Sequence, residues 1–313
     1  MERLTMSLKS RGFIELPAHI KPGGFDHAAV HRGMERLYVA HTCNDALDVI
    51  DWASDQYLHS IPDLPGVAGA LAADDDDLIF TSNRGENTVG LFAPNADKQI
   101  AKVTVGARPN GLAYAPAHNL LLAANVGDPA RPNSFTVSIV DALNKTLVAD
   151  VPVPGRTRWT VYDPLDELFY VNIADPAQIV VLDATNPARV ARAFPVASPG
   201  PHGLDLDAPA HRLFCACDGG QVFTLDARSG AVLRSASLSG LPDVIFFNAT
   251  LKHLYVAIGD PGLIEVFETE TLTRLETVPT EKGAHTLGFH AAQNKVYAFL
   301  PETHRARVFV DEG

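Results

Sequence analysis

The chain has 313 residues, with 25 Lys and Arg against 37 Asp and Glu, for a formal net charge of −12. That balance argues against a nucleic-acid surface or a polybasic membrane face. With 46% hydrophobic and 20% charged residues the composition is that of a globular protein, not a disordered one.

The length exceeds the usual single-domain size, but all-β and repeat folds run this long as one domain, so one domain over residues 1–313 is expected. The 23 Gly and 22 Pro are spread along the chain, as many turns require. The opening residues, Met1 to Arg11, carry no continuous apolar core, so no signal peptide is expected. No run reaches membrane-spanning length. The three cysteines, Cys43, Cys215 and Cys217, are odd in number, and Cys215 and Cys217 lie two apart in a strand, sharing a face. A reducing, cytoplasmic setting fits this better than a disulfide framework.

Taken in order, the chain repeats itself. A short apolar strand opening on a turn begins at Asp26 (FDHAAVH), Ala68 (AGALAAD), Asn110 (NGLAYAP), Arg158 (RWTVYDP), His202 (HGLDLDA), Asp243 (DVIFFNA) and His285 (HTLGFHA). The intervals are 42, 42, 48, 44, 41 and 42 residues, and the long one contains the insertion Asp128 to Asn133. Between the first and second strands of the second copy, the run Asp74-Asp75-Asp76-Asp77 reads as a solvated hairpin tip.

Each copy continues with a second strand (Arg36-Leu37-Tyr38-Val39-Ala40, Leu168-Phe169-Tyr170-Val171, His253-Leu254-Tyr255-Val256-Ala257) and a third ending in an apolar–acid pair (Ile50-Asp51, Val140-Asp141, Leu182-Asp183). A more polar fourth follows, such as Lys145 to Val151, suited to an outer strand with one wet face. Four strands about every 42 residues predict a seven-bladed β-propeller of four-stranded antiparallel blades. The last copy has three strands, and Gly12-Phe13-Ile14-Glu15-Leu16 is placed to supply its fourth, so the ring closes without an open sheet edge.

The first strands line the channel, so the residues opening them surround its mouth. Six of the seven are polar and differ in type, whereas the next position repeats Gly69, Gly111 and Gly203. His202, Asp243, His285 and Asp26 fall in consecutive blades around a closed ring. Two imidazoles and two carboxylates suit a divalent ion such as zinc, manganese or iron. Across the ring, Asn110 and Arg158 are candidates to hold a substrate carboxylate or oxyanion, with Trp159 as an apolar wall.

His27 is a candidate partner of Asp26 or an alternative ligand, and the ends of the second strands add His41, Asn83, Asn125, Asp218 and Glu302 to the same face. His27 and His41 join Arg158 and Asn110 as candidate catalytic groups. The alternatives are a hydrated vestibule without function, Arg158 paired instead to Asp163 or Asp166, and Trp159 as packing. His31, His118, His211 and His253 fall in turns or at strand edges, where packing or surface roles are expected. No phosphate-binding loop, dinucleotide fingerprint or nucleophile elbow is present.

The repeat, with its D-V-I-D and L-Y-V-A strands, resembles the YVTN-repeat propeller family over essentially the full chain. Pro109-Asn110-Gly111, Pro201-His202-Gly203 and Leu241-Pro242-Asp243 resemble the turns of the gluconolactonase (senescence marker protein) propellers. There such Asn or Asp residues, with a first-blade acid, bind a catalytic divalent metal. By that resemblance Asp26 stands for the first-blade acid and Asn110 and Asp243 for the turn ligands, while His202, His285 and Arg158 depart from the oxygen-only set. A further similarity is to virginiamycin B lyase, a propeller that acts on a lactone by elimination with a metal.

The resulting expectation is a metal-dependent enzyme at the channel mouth, hydrolysing or eliminating a small lactone, ester or carboxylated substrate. Its alternative is a non-catalytic propeller binding a small ligand or protein partner there. Nucleic acid and membrane are not expected partners.

Overall fold

The structure is a computed structural model that describes residues 7–94, 98–131 and 133–313. Most of the leading stretch read for a signal peptide, and Pro132 of the insertion, lie outside the described residues. Twenty-eight strands, numbered in chain order, form seven four-stranded antiparallel sheets. Among the described residues there is no α-helix, only five three-residue 3₁₀ turns, and no helix is long and apolar enough to cross a membrane.

The seven first strands are β2 (Ala28–His31), β6 (Val67–Ala73), β10 (Pro109–Ala115), β14 (Thr157–Asp163), β18 (Pro201–Asp207), β22 (Leu241–Asn248) and β26 (Thr286–His290). Each contacts the next around the channel, and β2 meets β26 to complete the circle. The last blade is built as the sequence predicts: β1 (Leu8–Glu15) pairs antiparallel with β28 (Arg305–Asp311), from Leu8 opposite Asp311 to Glu15 opposite Arg305.

The core lies between consecutive sheets, not within any one of them. Second-strand tyrosines Tyr38, Tyr170, Tyr255 and Tyr297 are fully buried at matching positions. At the seam, Ile14, Tyr297 and Phe299 of the last blade pack on Leu37, Val39 and Trp52 of the first. Each blade buries its apolar face only against a neighbour, so the ring is the unit that removes this surface from water.

Near the mouth the backbones come closest, and there the repeated glycines have their reason. A Cβ on Gly69 would lie 2.5 Å from the Asn110 carbonyl oxygen, one on Gly111 2.7 Å from that of Arg158, and one on Gly203 2.2 Å from that of Asp243. A side chain at any of them would push adjacent blades apart. The pairing of first with second strand slips at the same level, between Val67 and Gly69, Pro109 and Leu112, Thr157 and Thr160, Pro201 and Gly203, and Pro242 and Ile245. Such bulges re-aim a side chain out of the regular pleat, and each falls at the residue singled out in the sequence.

The acidic run is only partly a solvated tip. Asp75, Asp76 and Asp77 are on the surface side of a 3₁₀ turn, but Asp74 accepts from the Arg32 backbone N–H at 2.6 Å and from its Nε at 2.8 Å. The Asp74 carboxylate also lies 3.1 Å from Nδ1 of buried His31, so it ties the first blade to the second. The three cysteines are free and buried, with the sulfurs of Cys215 and Cys217 3.9 Å apart.

Replacing Gly203 by Ala is expected to destabilise the protein by about 1–3 kcal/mol, the usual cost of overpacking. Urea unfolding measures it, and an unchanged midpoint would mean the blades do not approach as closely as described.

Candidate functional site

The channel mouth is built by the bulged openings of the first strands, and second-strand side chains of the preceding blade hold them from behind. Ser82, on β7 (Leu78–Asn83), donates to the Asn110 carbonyl at 2.7 Å. Asn172, on β15 (Leu168–Ile173), donates to the carbonyls of His202 at 3.0 Å and Gly203 at 3.2 Å. The site residues thus ride on backbone fixed across a blade boundary, which limits their drift.

His202 is the centre of the charged arc. Its Nδ1 is 2.8 Å from Asp218 Oδ1, and its Nε2 is 3.2 Å from Asp243 Oδ1 and 3.0 Å from Arg158 Nη1. Arg158 Nη2 also reaches Asp218 Oδ2 at 3.3 Å. Arg158 is therefore paired with Asp218, and not with Asp163 or Asp166.

Burial opposes a charge on His202, but the attraction of Asp243 and the hydrogen bonds to Asp218 and Asp243 outweigh it, against repulsion from Arg158, and raise its pKa to about 9. Burial likewise acts to raise Asp243, yet His202, followed by His285 and His27, holds its carboxyl well below the ordinary range. The two carboxylates favour the imidazolium at neutral pH, while the guanidinium 3.0 Å from Nε2 favours the neutral ring; the carboxylates outweigh it. When the Nε2 proton leaves, the exposed lone pair faces the Arg158 guanidinium, which donates to it in place of the lost bond to Asp243.

His27 is the opposite case. It is 5% exposed, its Nε2 lies 3.3 Å from Asp26 Oδ1, and its ring packs on Trp159 with centroids 4.0 Å apart. Desolvation dominates and lowers its pKa despite Asp26 and Asp243. Asp26 is also engaged by Arg84 at 2.9 Å.

Two cavities meet this layer. One of about 460 Å³ at the mouth is lined by Arg158, His202, Asp218, Asp243, Lys282 and His285, among others. A larger one of about 520 Å³ lies deeper in the channel, with walls such as Ala29, Leu71, Leu112 and Phe246, and His27 and Trp159 form part of its lining. His27 and Trp159 line the larger cavity and not the smaller one. The chemistry-bearing groups converge on the smaller cavity, so the candidate site is there.

The sequence missed an arginine arc. Burial, then repulsion from Arg158, Arg108 and Arg84, pulls the Arg156 guanidinium below its ordinary pKa, which places four cations on one side of the mouth. Three of them stand in turns outside the repeated strand position, so alignment of the copies passes over them. Asn110 lies on the same side, its Oδ1 buried and without a hydrogen-bond partner. Asn83 and Asn125 are buried and bond inward to Thr88 and to Thr136 and Ser138, supporting the blades.

The expected quartet is brought together in part. His202 touches Asp243 and His285 lines the same cavity, but Asp26 is turned to Arg84 and His27. An ion on His202 Nε2 would have to displace a guanidinium already 3.0 Å away, so the residues as arranged do not fit a metal. His41 belongs elsewhere: its Nδ1 is 2.7 Å from Asp48, and its ring packs on Phe25 and His19.

The folded pKa of His202 lies above its unfolded value of about 6.5. Its contribution to stability is therefore complete below that value and lost as pH rises through about 9. The expected loss between pH 6 and pH 10 is up to about 3 kcal/mol, measured as a fall in urea midpoint that His202→Gln removes. A wild-type midpoint unchanged over that range would contradict the charge assignment.

No family model matches the chain, and no curated protein does. Solved structures do match: a chain of the mitotic checkpoint complex crystal structure is similar with a TM-score of 0.82 at 9% identity, covering 99% of this chain and 94% of that one. At that identity the likeness is one of fold, and the seven four-stranded sheets described above make that fold a seven-bladed β-propeller.

Proposed function

We propose that the channel mouth is an acid–base active site for a small carboxylated or lactone- or ester-like molecule, broken by hydrolysis or elimination. The observation that carries this reading is the convergence of His202, Asp218, Asp243, His285 and Arg158 on one cavity, with His202 2.8 Å from Asp218 and 3.2 Å from Asp243. The pKa shifts of His202 and His27 in opposite directions support it. His202 is held as the cation and His27 as the neutral base, and environments that push two titratable groups apart assign the acid and the base.

In this reading Arg158, with Arg84, Arg108 and Arg156 behind it, receives the substrate anion, and Asn110 steadies a developing oxyanion. His27 takes a proton, from water for hydrolysis or from the carbon beside the carbonyl for elimination. His202 Nε2 gives its proton to the departing oxygen, and Arg158 then donates to the vacated nitrogen. A metal-assisted version, with zinc, manganese or iron on Asp26, His202, Asp243 and His285, is favoured only by the shared ring position of those residues. It requires Arg158 and Arg84 to swing away.

The net charge of −12 supports a small-molecule ligand over nucleic acid or an anionic membrane, and the free thiols support a cytoplasmic setting. Kinship with YVTN-repeat propellers belongs to the same proposal.

Assay against a panel of lactones, esters and hydroxy acids, with and without added divalent ions, is the test. The expected kcat/KM is flat through neutrality, falling only on the acid side of the ordinary imidazole range as His27 gains a proton, and above pH 9 as His202 loses one. His27→Gln and His202→Gln are each expected to lower it by about 10²–10⁴-fold. Activity that needs an added ion and disappears in His285→Gln would favour the metal-assisted version. Binding of a carboxylate without turnover would make the protein a ligand-binding propeller.

A further inference from the structure

A second cluster lies at the seam of the ring, apart from the mouth. The segment between β1 and β2 carries His19. The end of β3 (Arg36–His41) and the 3₁₀ turn after it carry His41 and Cys43. One ligand atom from each of His19, His41 and Cys43 lies within 4.8 Å of the others. The turn before β28 adds His304, whose ring is 4.3 Å from that of His19. The linker and the end of β3 thus converge on one point, with the turn before β28 beside them.

The hydrogen bonding there is incomplete in a specific way. His41 and Asp48 are both fully buried, and Asp48 accepts from His41 Nδ1 at 2.7 Å and from Ser60 Oγ at 2.6 Å. Nδ1 therefore carries a proton, which leaves Nε2 as the ring atom placed to bind an ion. That Nε2 is buried without a partner, as are His19 Nε2 and His304 Nδ1. Buried polar atoms are nearly always satisfied, so the orphaned nitrogens of His19 and His41 beside the Cys43 thiol, with that of His304 next to His19, mark a missing partner. A carboxylate behind a histidine is also the arrangement that orients a metal-ligating imidazole.

We propose that His19, His41 and Cys43 bind a thiophilic d¹⁰ metal ion, zinc first, with the fourth position open to His304 or solvent. Nitrogen and sulfur donors select zinc over magnesium, calcium or manganese. Bond lengths of about 2.0–2.3 Å place tetrahedral donors about 3.5 Å apart, so small side-chain movements close the set. Binding releases the Cys43 thiol proton as the metal–sulfur bond forms. The ion fastens the linker to the first blade, next to the sheet that β1 completes. It is separate from any ion at the mouth and does not rest on the acid–base reading.

The test uses the full chain, stripped with chelator and titrated with Co²⁺ and then Zn²⁺. One equivalent of Co²⁺ is expected to give a thiolate-to-cobalt charge-transfer band that Zn²⁺ abolishes. The band should disappear in Cys43→Ser, and His41→Ala should weaken binding at least tenfold. Asp48→Asn should weaken it about 10–100-fold with the band retained, and His202→Gln and His285→Gln should leave it unchanged. Zn²⁺ is expected to raise Tm by about 5 °C in wild type and not in Cys43→Ser.

No band in the wild type, or a band that persists in Cys43→Ser, overturns the proposal. Should Cys43→Ser fail to fold, Cys215→Ala/Cys217→Ala decides: loss of the band there assigns the thiolate to that pair and sinks the idea.

Discussion

Everything at the mouth depends on how closely the inner strands approach one another. The first strands run side by side around a channel, and at the level of Gly69, Gly111 and Gly203 the next blade's backbone carbonyl stands where a Cβ would be. This contact forces glycine at that position and accompanies a slip in strand pairing just beside it. The slip frees the neighbouring residue from the pleat. The constraint that narrows the ring is therefore the one that presents Asn110 and His202, beside Gly111 and Gly203, while Arg158 and Asp243 stand at the same slip with Trp159 and Val244 following.

With those positions fixed by backbone, side-chain identity is free to encode chemistry, and the result is a polarised mouth. Cations gather on blades two to four, through Arg84, Arg108, Arg156 and Arg158. Carboxylates and imidazoles gather on blades five, six, seven and one. The two sides meet at the contact between Arg158 and His202, where one nitrogen is shared by a guanidinium and a carboxylate. A low-dielectric wall behind such an array strengthens each charge within it. The His27–Trp159 pair gives that wall its apolar element and lines the larger cavity.

The blade count, the strand order and the closure by Phe13 and Ile14 were legible because they follow from spacing and alternation, which a linear sequence displays directly. The position of the candidate site was legible for a related reason: a symmetric scaffold makes departures from the repeat visible, as with His202 beside Gly203. Partners across blades were not. Asp218 follows β19 (Arg212–Cys217) and reaches both His202 and Arg158, and Asp26 turns to Arg84, fifty-eight residues away. Such pairings depend on rotamers and turn geometry that no periodicity carries. His41 was read as part of the mouth because it ends a second strand, but its tie to Asp48 across the sheet draws it into the blade.

The pairing of β1 with β28 has a consequence in time as well as space. Bonds such as Arg11 with Glu312 and Arg307 with Ser10 span roughly the whole described chain. During synthesis β1 emerges first and its partner among the last, so an early strand waits with its hydrogen-bonding edge unmatched while the intervening blades appear. Contacts of that sequence separation slow folding, and a bare strand edge is a template for unwanted pairing. The molecule's most exposed moment on the way to the native state thus falls just before its final sheet is completed. Any interaction that holds the Leu16–Gly24 linker against the first blade in that interval would shorten the search by which the circle closes.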